Sequence, residues 1–381
     1  MILNKLLNIL MAFILSVSLT FSINHKPSET SANTPNIIEN NNILDTSVDV
    51  ATIEFARKSV VMILVYDQLG NPGGIGSGII FKRDNNYDYI LTNQHVVAAG
   101  TVYEVVAYDM QKLAGVLIGS DGTQDIAVLR TTRFRDITLA PIGNSDNLRV
   151  GDTVFAIGNP GDINYRGSVS TGIVAGVNRN VSSSVDFLEN QTHAIQVNLA
   201  INPGNSGGPI FTEDGLLMGV NTLKLTSDGS DTRYEGVNFA LPINDMNLAA
   251  EKILNSALIS NTGAVIQRGV YRRTSLGFAV FESLLDIDIN TRKIKGIPNS
   301  IYQGVLVTNI EQSVSNPLFL SKLEPESIIV AIDNVPVTNK VELRKQVYTK
   351  NVGQSVTLTL LVKSNNGYQE TKLVTTIIQA R

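Results

Sequence analysis

From Ser59 onward the chain is cut into short β-branched runs separated by Gly, Asn and Asp turns, and this cadence admits few folds. The runs are Ser59–Tyr66, Gly78–Lys82, Tyr89–Thr92, Tyr103–Tyr108, Ile126–Leu129, Thr153–Ile157, Ser168–Val174, Ile195–Val197 and Leu217–Asn221. Strands this short and this frequent predict a sandwich or a barrel. The pattern changes at Pro242, where Asn244 or Asp245 can cap a helix carrying Ala249, Ala250, Ile253, Leu254 and Leu258 at helical spacing. Ser260–Gly263 then reads as the start of a linker. A smaller second unit follows, with strands at Gly304–Ile310, Ile328–Ile332, Ser355–Val362 and Leu373–Ile378, a helix over Lys340–Tyr348 and a hairpin turn at Asn366-Gly367. No internal repeat is visible, and 381 residues suit two or three domains at roughly 150 residues each.

The N-terminus has one cation, Lys5, and then an apolar stretch from Leu6 to Ile23 broken by Asn8 and a few Ser and Thr. That order predicts export, with Met1–Ile23 either a cleaved signal or a retained anchor, since its length sits between the two. Cleavage between Ser18 and Lys26 is the favoured expectation. Residues 24–48, rich in Asn, Ser, Thr and Pro, cannot bury enough apolar surface to order themselves and are expected to form a flexible tether.

Composition removes several functions. A net charge of -4 supplies no basic field for phosphates, so nucleic-acid binding is not expected. The absence of cysteine excludes disulfides, thiolate metal sites and a cysteine nucleophile, and leaves His25, His95 and His193 as the only histidines. With no His-Glu-x-x-His spacing, no metal is expected. The run Gly73-Gly74-Ile75-Gly76-Ser77-Gly78 lacks the Lys-Ser/Thr of a phosphate loop and reads as a loop entering a strand. No cofactor or nucleotide is therefore implied. His193 sits in a polar loop and His25 in the tether or export segment, which leaves His95 for chemistry.

The most informative string is Asn202-Pro203-Gly204-Asn205-Ser206-Gly207-Gly208-Pro209. A serine between glycines can sit on a tight turn with its hydroxyl exposed and backbone N–H groups converging beside it. His95 ends the apolar run Leu91-Thr92-Asn93-Gln94, and Asp125 heads the apolar run Ile126–Leu129. Taken alone, each has an ordinary structural explanation. Together they give the order His, Asp, Ser of the chymotrypsin arrangement, on a chain that already reads as short-stranded β. In that arrangement His95 takes the proton of Ser206, Asp125 holds the imidazole, and the N–H groups of Gly204 and Ser206 stabilise the oxyanion.

These strings, together with Gly76-Ser77-Gly78, Ala156-Ile157-Gly158-Asn159-Pro160 and Asn238-Phe239-Ala240-Leu241-Pro242, resemble the HtrA (Deg) family of trypsin-like serine proteases over about residues 50–258. The second unit is similar to the PDZ domain that follows the protease there. Ser275-Leu276-Gly277-Phe278 matches its carboxylate-binding loop, while Gly304–Val307 and Ile328–Ile332 match core strands. The resemblance implies a mainly β chain: a chymotrypsin-like double antiparallel β-barrel over 49–258, a linker over 259–268 and one PDZ domain over 269–381, with one or two helices. It also implies an oxyanion hole of Gly204, Asn205 and Ser206. By spacing from the nucleophile, Ala200 falls at the base of the specificity pocket, with Gly236, Val237, Asn238, Phe239 and Ala240 as another wall, so neutral residues are expected to be accepted.

As further implications, the chain would cleave unfolded or misfolded envelope proteins without ATP, bind C-terminal peptides at the PDZ domain, and assemble as a homotrimer or a multiple of one. It would work in the periplasm or cell envelope, anchored to the inner membrane if Met1–Ile23 is retained. Two departures stand out: Asn198-Leu199 where the family usually has Asp-Ala, and Pro325-Glu326-Ser327 in place of Pro-Gly-Asp. Two alternatives remain open here: a membrane-held regulatory protease cutting one signalling partner, and a chaperone-like peptide-binding protein with little proteolysis.

Overall fold

The computed structural model describes residues 48–122, 124–181, 192–222, 236–271, 274–277, 279–365 and 367–379. The expected export segment and nearly all of the tether lie outside the described residues, as does His25. Among the described residues no helix is long and apolar enough to cross a membrane.

A helix over Val50–Arg57 leads into two closed antiparallel barrels of six strands each. The first contains β1 (Val60–Tyr66), β2 (Pro72–Arg83), β3 (Tyr87–Thr92), β4 (Val102–Val106), β5 (Lys112–Asp121) and β6 (Ile126–Thr132), closed in the order β1-β2-β3-β6-β5-β4. The second contains β7 (Thr153–Gly158), β8 (Ser168–Val181), β9 (Thr192–Val197), β10 (Pro209–Thr212), β11 (Leu217–Thr222) and β12 (Asn238–Pro242), closed in the order β10-β11-β12-β9-β8-β7. Closure pairs the outermost strands and leaves no open sheet edge. This is the chymotrypsin-like double barrel that the sequence predicts.

The strands read as continuous apolar runs because many are covered on both faces. In β6 every residue but Thr132 is buried. One face fills a barrel: Ile63, Ile80, Ile90 and Leu129 in the first, Val154, Val174, Val197 and Ile210 in the second. The other faces meet between the barrels, where Ile79, Leu91 and Val128 pack into one cluster with Ile157 and Val220. Phe155 and Phe211 stack there with ring centroids 5.2 Å apart. The helix Ile243–Ser256 seals this cluster with Met246, Ala249, Ala250 and Ile253. Its N-cap is Pro242, not Asn244 or Asp245; the Asn244 amide instead reaches Asn144 Oδ1 at 2.7 Å and ties the helix to the preceding loop.

Residues 259–268 are not a loose linker. Strands β13 (Leu258–Ile259) and β14 (Val265–Gln267) form a hairpin across the Ser260–Gly263 turn. Arg130, stacked 4.0 Å over the Tyr87 ring, donates to the Gly263 carbonyl, so the turn is docked on the first barrel.

The C-terminal module is built on one sheet in the order β16-β17-β18-β20-β21. Its strands are β16 (Ala279–Ser283), β17 (Val305–Ile310), β18 (Ile328–Ile332), β20 (Ser355–Ser364) and β21 (Gly367–Thr376), with β19 (Val335–Pro336) beside β18. A separate pair joins β15 (Thr274–Ser275) to β22 (Ile378–Gln379). The helix Lys340–Tyr348 has the bounds read from its sequence and buries Leu343, Val347 and Tyr348 against the sheet. The hairpin is shifted by one residue from expectation: β20 pairs Ser364 with Gly367, so Gly367 at φ 105° opens β21 instead of completing the turn, and Asn366 lies outside the described residues.

Candidate active site

His95 stands on a one-turn helix, Gln94–Val97, just beyond β3, and not on the strand itself. The Tyr103 hydroxyl donates to the carbonyls of Val97 at 3.1 Å and Gly100 at 3.2 Å, which fixes the exit of that turn. Burial pushes the Tyr103 phenol pKa up, so the group stays a donor. Asp125 immediately precedes β6 at φ 52°, a left-handed conformation that Asp tolerates better than most residues. Its backbone carbonyl accepts from the Asn93 amide at 3.0 Å.

These two turns bring His95 Nδ1 to 2.9 Å from each Asp125 carboxylate oxygen. The His95 backbone N–H adds a 3.1 Å bond to Oδ1. A carboxylate only accepts, so Nδ1 is the donor to it, and in the neutral ring that leaves the lone pair on Nε2. Thr222, at the end of β11 in the second barrel, donates its hydroxyl to Asp125 Oδ2 at 2.9 Å. The sequence reading missed Thr222. The Asp125 side chain is only 7% exposed and that of His95 31%, so the carboxylate is enclosed while the ring reaches solvent.

Ser206 comes from the second barrel, on the turn before β10, and is 4% exposed. Its carbonyl accepts from the Ser77 N–H of β2 at 2.8 Å, which holds the turn against the first barrel. Ser206 and His95 share no hydrogen bond here; such contacts are commonly long in free enzymes and tighten around substrate. The turn needs its glycines. Gly204 has φ 98°, and a Cβ there would lie 2.3 Å from the Asn159 carbonyl oxygen. Gly207 has φ 83°, and its Cβ would lie 2.2 Å from both Ser77 O and Thr92 Oγ1.

The Pro203 carbonyl accepts from Gly161 N–H at 3.1 Å and the Asn205 carbonyl from Gly208 N–H at 3.0 Å. A trans peptide points its N–H opposite its C=O, so these bonds direct the Gly204 and Ser206 amides away from the protein acceptors. Among the described residues neither amide has an acceptor. Asn205 does not belong with them: its N–H donates to Asn202 O at 2.9 Å, which corrects the three-residue hole expected from the sequence.

The pocket residues also divide. Ala200 is exposed between buried Leu199 and Ile201, so the position is an open neutral surface and not a sealed floor. Ala240 packs inside the second barrel, and Phe239 packs on Ala194 with Val237. Gly236, Val237 and Asn238 retain accessible surface, and the Asn238 amide donates to Leu199 O at 2.7 Å, which binds the two segments together. Asn198, a departure from the family pattern, accepts from Ile173 N–H at 2.7 Å through Oδ1. His193 is in β9 and not in a loop, by its backbone.

In the C-terminal loop Ser275, Leu276 and Gly277 are buried, and Phe278 lies outside the described residues. The Gly277 N–H, expected to face a peptide carboxylate, donates to Ser275 Oγ at 3.0 Å. Ser275 thus supplies an internal acceptor for that amide. Glu326, the other departure, adopts φ 65° and donates its N–H to Val307 O at 2.6 Å, so the altered turn keeps a left-handed step without glycine.

Comparison with known proteins bears on the fold that carries this geometry. A model of the trypsin-like peptidase domain matches residues 76–220. The serine protease Do-like HtrA of Bacillus subtilis (strain 168) is 33% identical over 312 residues, covering 79% of this chain and 63% of the relative. The periplasmic serine endoprotease DegP of Escherichia coli (strain K12) is 31% identical over 302 residues, covering 77% of this chain and 57% of the relative. The chain thus spans less than two thirds of the length of these relatives. Among solved structures, the HtrA-type protease AlgW with tripeptide superimposes with a TM-score of 0.63 at 24% identity, covering 87% of this chain and 96% of that one, a likeness of fold. The chain carries a trypsin-like peptidase domain. Over more than three quarters of its length it is similar to the HtrA serine proteases.

Gly204→Ala is expected to lower proteolysis by at least about a hundredfold, the scale of losing one oxyanion donor, because the new methyl group collides with backbone. Casein digestion by the purified variant measures this, and activity equal to the parent's would contradict the turn geometry.

Proposed function

We propose that this chain is a serine endopeptidase of HtrA type, exported and independent of ATP, acting on unfolded or misfolded proteins of the cell envelope. The observation that carries the reading is the His95–Asp125 pair, completed by Thr222, on a barrel whose β2 holds the turn of Ser206. Ser206 Oγ attacks the scissile carbonyl carbon as His95 Nε2 takes its proton, and the carbonyl electron pair moves onto oxygen. The Gly204 and Ser206 amides stabilise that oxyanion, and Asp125 stabilises the imidazolium. Collapse of the intermediate breaks the C–N bond, and the departing amine takes the proton from His95. Water then repeats the sequence on the acyl-enzyme, with His95 again as base, and releases Ser206.

In this reading residues 49–258 form the protease domain and 269–381 a PDZ domain joined by the docked hairpin. The protein would assemble as a homotrimer or a multiple of one. The accessible pocket surface of Ala200, Gly236, Val237 and Asn238 carries no charge, and neutral walls cannot offset the desolvation of a lysine or arginine. Small to medium aliphatic residues are the expected preference. Ser275–Phe278, β16 and the helix Lys340–Tyr348 would hold an exposed C-terminus as an added strand.

The test of the reaction is casein digestion by the parent beside Ser206→Ala, His95→Ala and Asp125→Ala. Each replacement is expected to lower kcat by several orders of magnitude, and paired replacements to add little, because the residues act as a unit. Digestion by Ser206→Ala at the parent's rate removes the nucleophile. Mapping the products checks the pocket: cuts after Val, Ala and similar residues are expected, and a profile dominated by Arg and Lys rejects the neutral surface.

Peptide capture is tested on the full chain carrying Ser206→Ala. A peptide ending in a free carboxylate is expected to bind at least tenfold tighter than its amide, about 1.4 kcal/mol, and Ser275→Gly to widen that ratio by freeing the Gly277 amide. Equal binding of acid and amide discards carboxylate capture.

A further inference from the structure

Ser77 lies in β2, is fully buried, and belongs to neither the triad nor the nucleophile turn. Its hydroxyl nevertheless donates to the Gly204 carbonyl at 2.7 Å, while its backbone N–H donates to the Ser206 carbonyl at 2.8 Å. The two carbonyls on either side of Asn205's own are thus held by one residue of the opposite barrel. The hydroxyl is also doubly accepted upon: the Asn159 backbone N–H and the Asn159 side-chain amide each donate to it at 2.9 Å. One donor and two acceptor sites are all that a serine hydroxyl has, and all three are used.

Asn159 is 1% exposed, and its side-chain nitrogen and oxygen are both engaged. Its amide also donates to Val61 O in β1 at 2.9 Å, and its Oδ1 accepts from Gly167 N–H at 3.0 Å. Asn159 also follows β7, next to Pro160 and Gly161, and Gly161 is the residue that pins the Pro203 carbonyl. The same pair of side chains therefore governs the segment that orients the Gly204 amide and the carbonyl that follows it. Thr92 Oγ1 donates to the Ser77 carbonyl at 2.7 Å, which ties this network to the strand leading to His95.

We propose that Ser77 and Asn159 are positioning residues: Ser77 clamps the Gly204–Asn205 and Ser206–Gly207 peptides that bracket the Asn205–Ser206 peptide, and Asn159 braces both Ser77 and the loop that holds Pro203, so that the Gly204 and Ser206 amides face outward and the oxyanion site is assembled across the barrel interface. The proposal rests on the serine-protease reading above. Neither side chain touches the substrate in it; each acts through the nucleophile turn. Loss of the Ser77 hydroxyl would leave the Gly204 carbonyl and both Asn159 donors buried without their partner, and the turn would relax to find others.

The experiment compares the parent with Ser77→Ala, Ser77→Cys, Asn159→Ala and the Ser77→Ala/Asn159→Ala double variant. Steady-state kinetics use a fluorogenic peptide with an aliphatic residue before the cut. Inhibition is measured with a matching peptide boronate, whose tetrahedral adduct needs both amides, and with the product peptide acid, which forms no adduct.

Ser77→Ala is expected to lose about ten- to hundredfold in kcat, less than outright removal of a donor, with KM within about threefold. The boronate Ki is expected to rise in step while the product Ki and the pH midpoint of kcat/KM stay put. Ser77→Cys should fall between parent and Ser77→Ala, and the double variant should be no worse than about threefold below the poorer single one. If Ser77→Ala fails to fold by circular dichroism, Ser77→Cys and Asn159→Ala decide by the same boronate-to-product comparison. Unchanged kcat and boronate Ki in the folded variants overturn the proposal, as does a parallel loss of boronate and product binding. A parent that neither cleaves nor takes up the boronate overturns the protease reading and this proposal with it, whereas an active parent matched by its variants overturns this proposal alone.

Discussion

The site depends first on a carboxylate that has been taken out of water. Burying an ionised carboxylate costs several kcal/mol unless its oxygens find donors, and Asp125 finds them on both sides of the barrel interface. His95 supplies a ring N–H and a backbone N–H from the first barrel, and Thr222 supplies a hydroxyl from the second. The barrels are therefore joined by more than the apolar cluster around Phe155 and Phe211. A shift of one barrel against the other would strand the charge, so the packing that folds the chain and the geometry that orients His95 reinforce each other.

The nucleophile turn solves a second problem by the same means. A tight turn with amides facing outward must find partners for its carbonyls elsewhere, and three consecutive carbonyls, of Pro203, Gly204 and Asn205, are held by Gly161, Ser77 and Gly208 respectively. Only the last partner is local. The other two come from the loop after β7 and from the opposite barrel, so the turn is imposed by tertiary structure. Glycine at 204 and 207 permits it, through positive φ and through the absence of a Cβ where backbone oxygen approaches within 2.3 Å.

This division explains what was legible in the sequence. The strand cadence narrowed the fold to a sandwich or a barrel, because closed antiparallel sheets need short runs and frequent turns and nine runs stood out, and the double barrel followed from the family resemblance. Strand β5 was missed because Gly115 and Gly119 interrupt it, β10 because its four residues follow the Gly207-Gly208 pair directly, and β12 because its five residues run from an Asn to a Pro that both read as turn residues. His95, Asp125 and Ser206 were visible because their residue types are costly where they sit and their order is informative. Thr222 was not: a threonine ending an apolar strand has no local peculiarity, and its partner is 97 positions away. Counting residues back from Ser206 located Ala200 but could not say which way it faces, and the alternation of buried Leu199 and Ile201 turns it outward. The turn at Ser260–Gly263 looked like a linker because hairpin turns and linkers share a composition, and only the docking of Arg130 separates them.

Contacts between part-buried polar groups also help to hold the C-terminal module. Lys252, on the helix that seals the barrels, donates to the Tyr348 carbonyl at 2.6 Å, at the end of the helix Lys340–Tyr348. Burial pushes the Lys252 pKa down, yet its ammonium meets carbonyls at the negative end of a helix, where a cation is favoured. Lys345, one turn earlier, pairs with Asp146 beside the second barrel, but both side chains are more than a third exposed, and such a pair contributes about 0–1 kcal/mol. Asp146 and Lys345 line a cleft that also takes in Val177 and Asn178 of β8 and Val341 of the helix. The helix expected to wall a peptide groove thus meets the barrel side through a half-buried cation at its C-terminal end and a weak ion pair near its middle. Leu248 of the sealing helix also packs against the module's apolar core, so the module is registered against the barrels by polar and apolar contacts together.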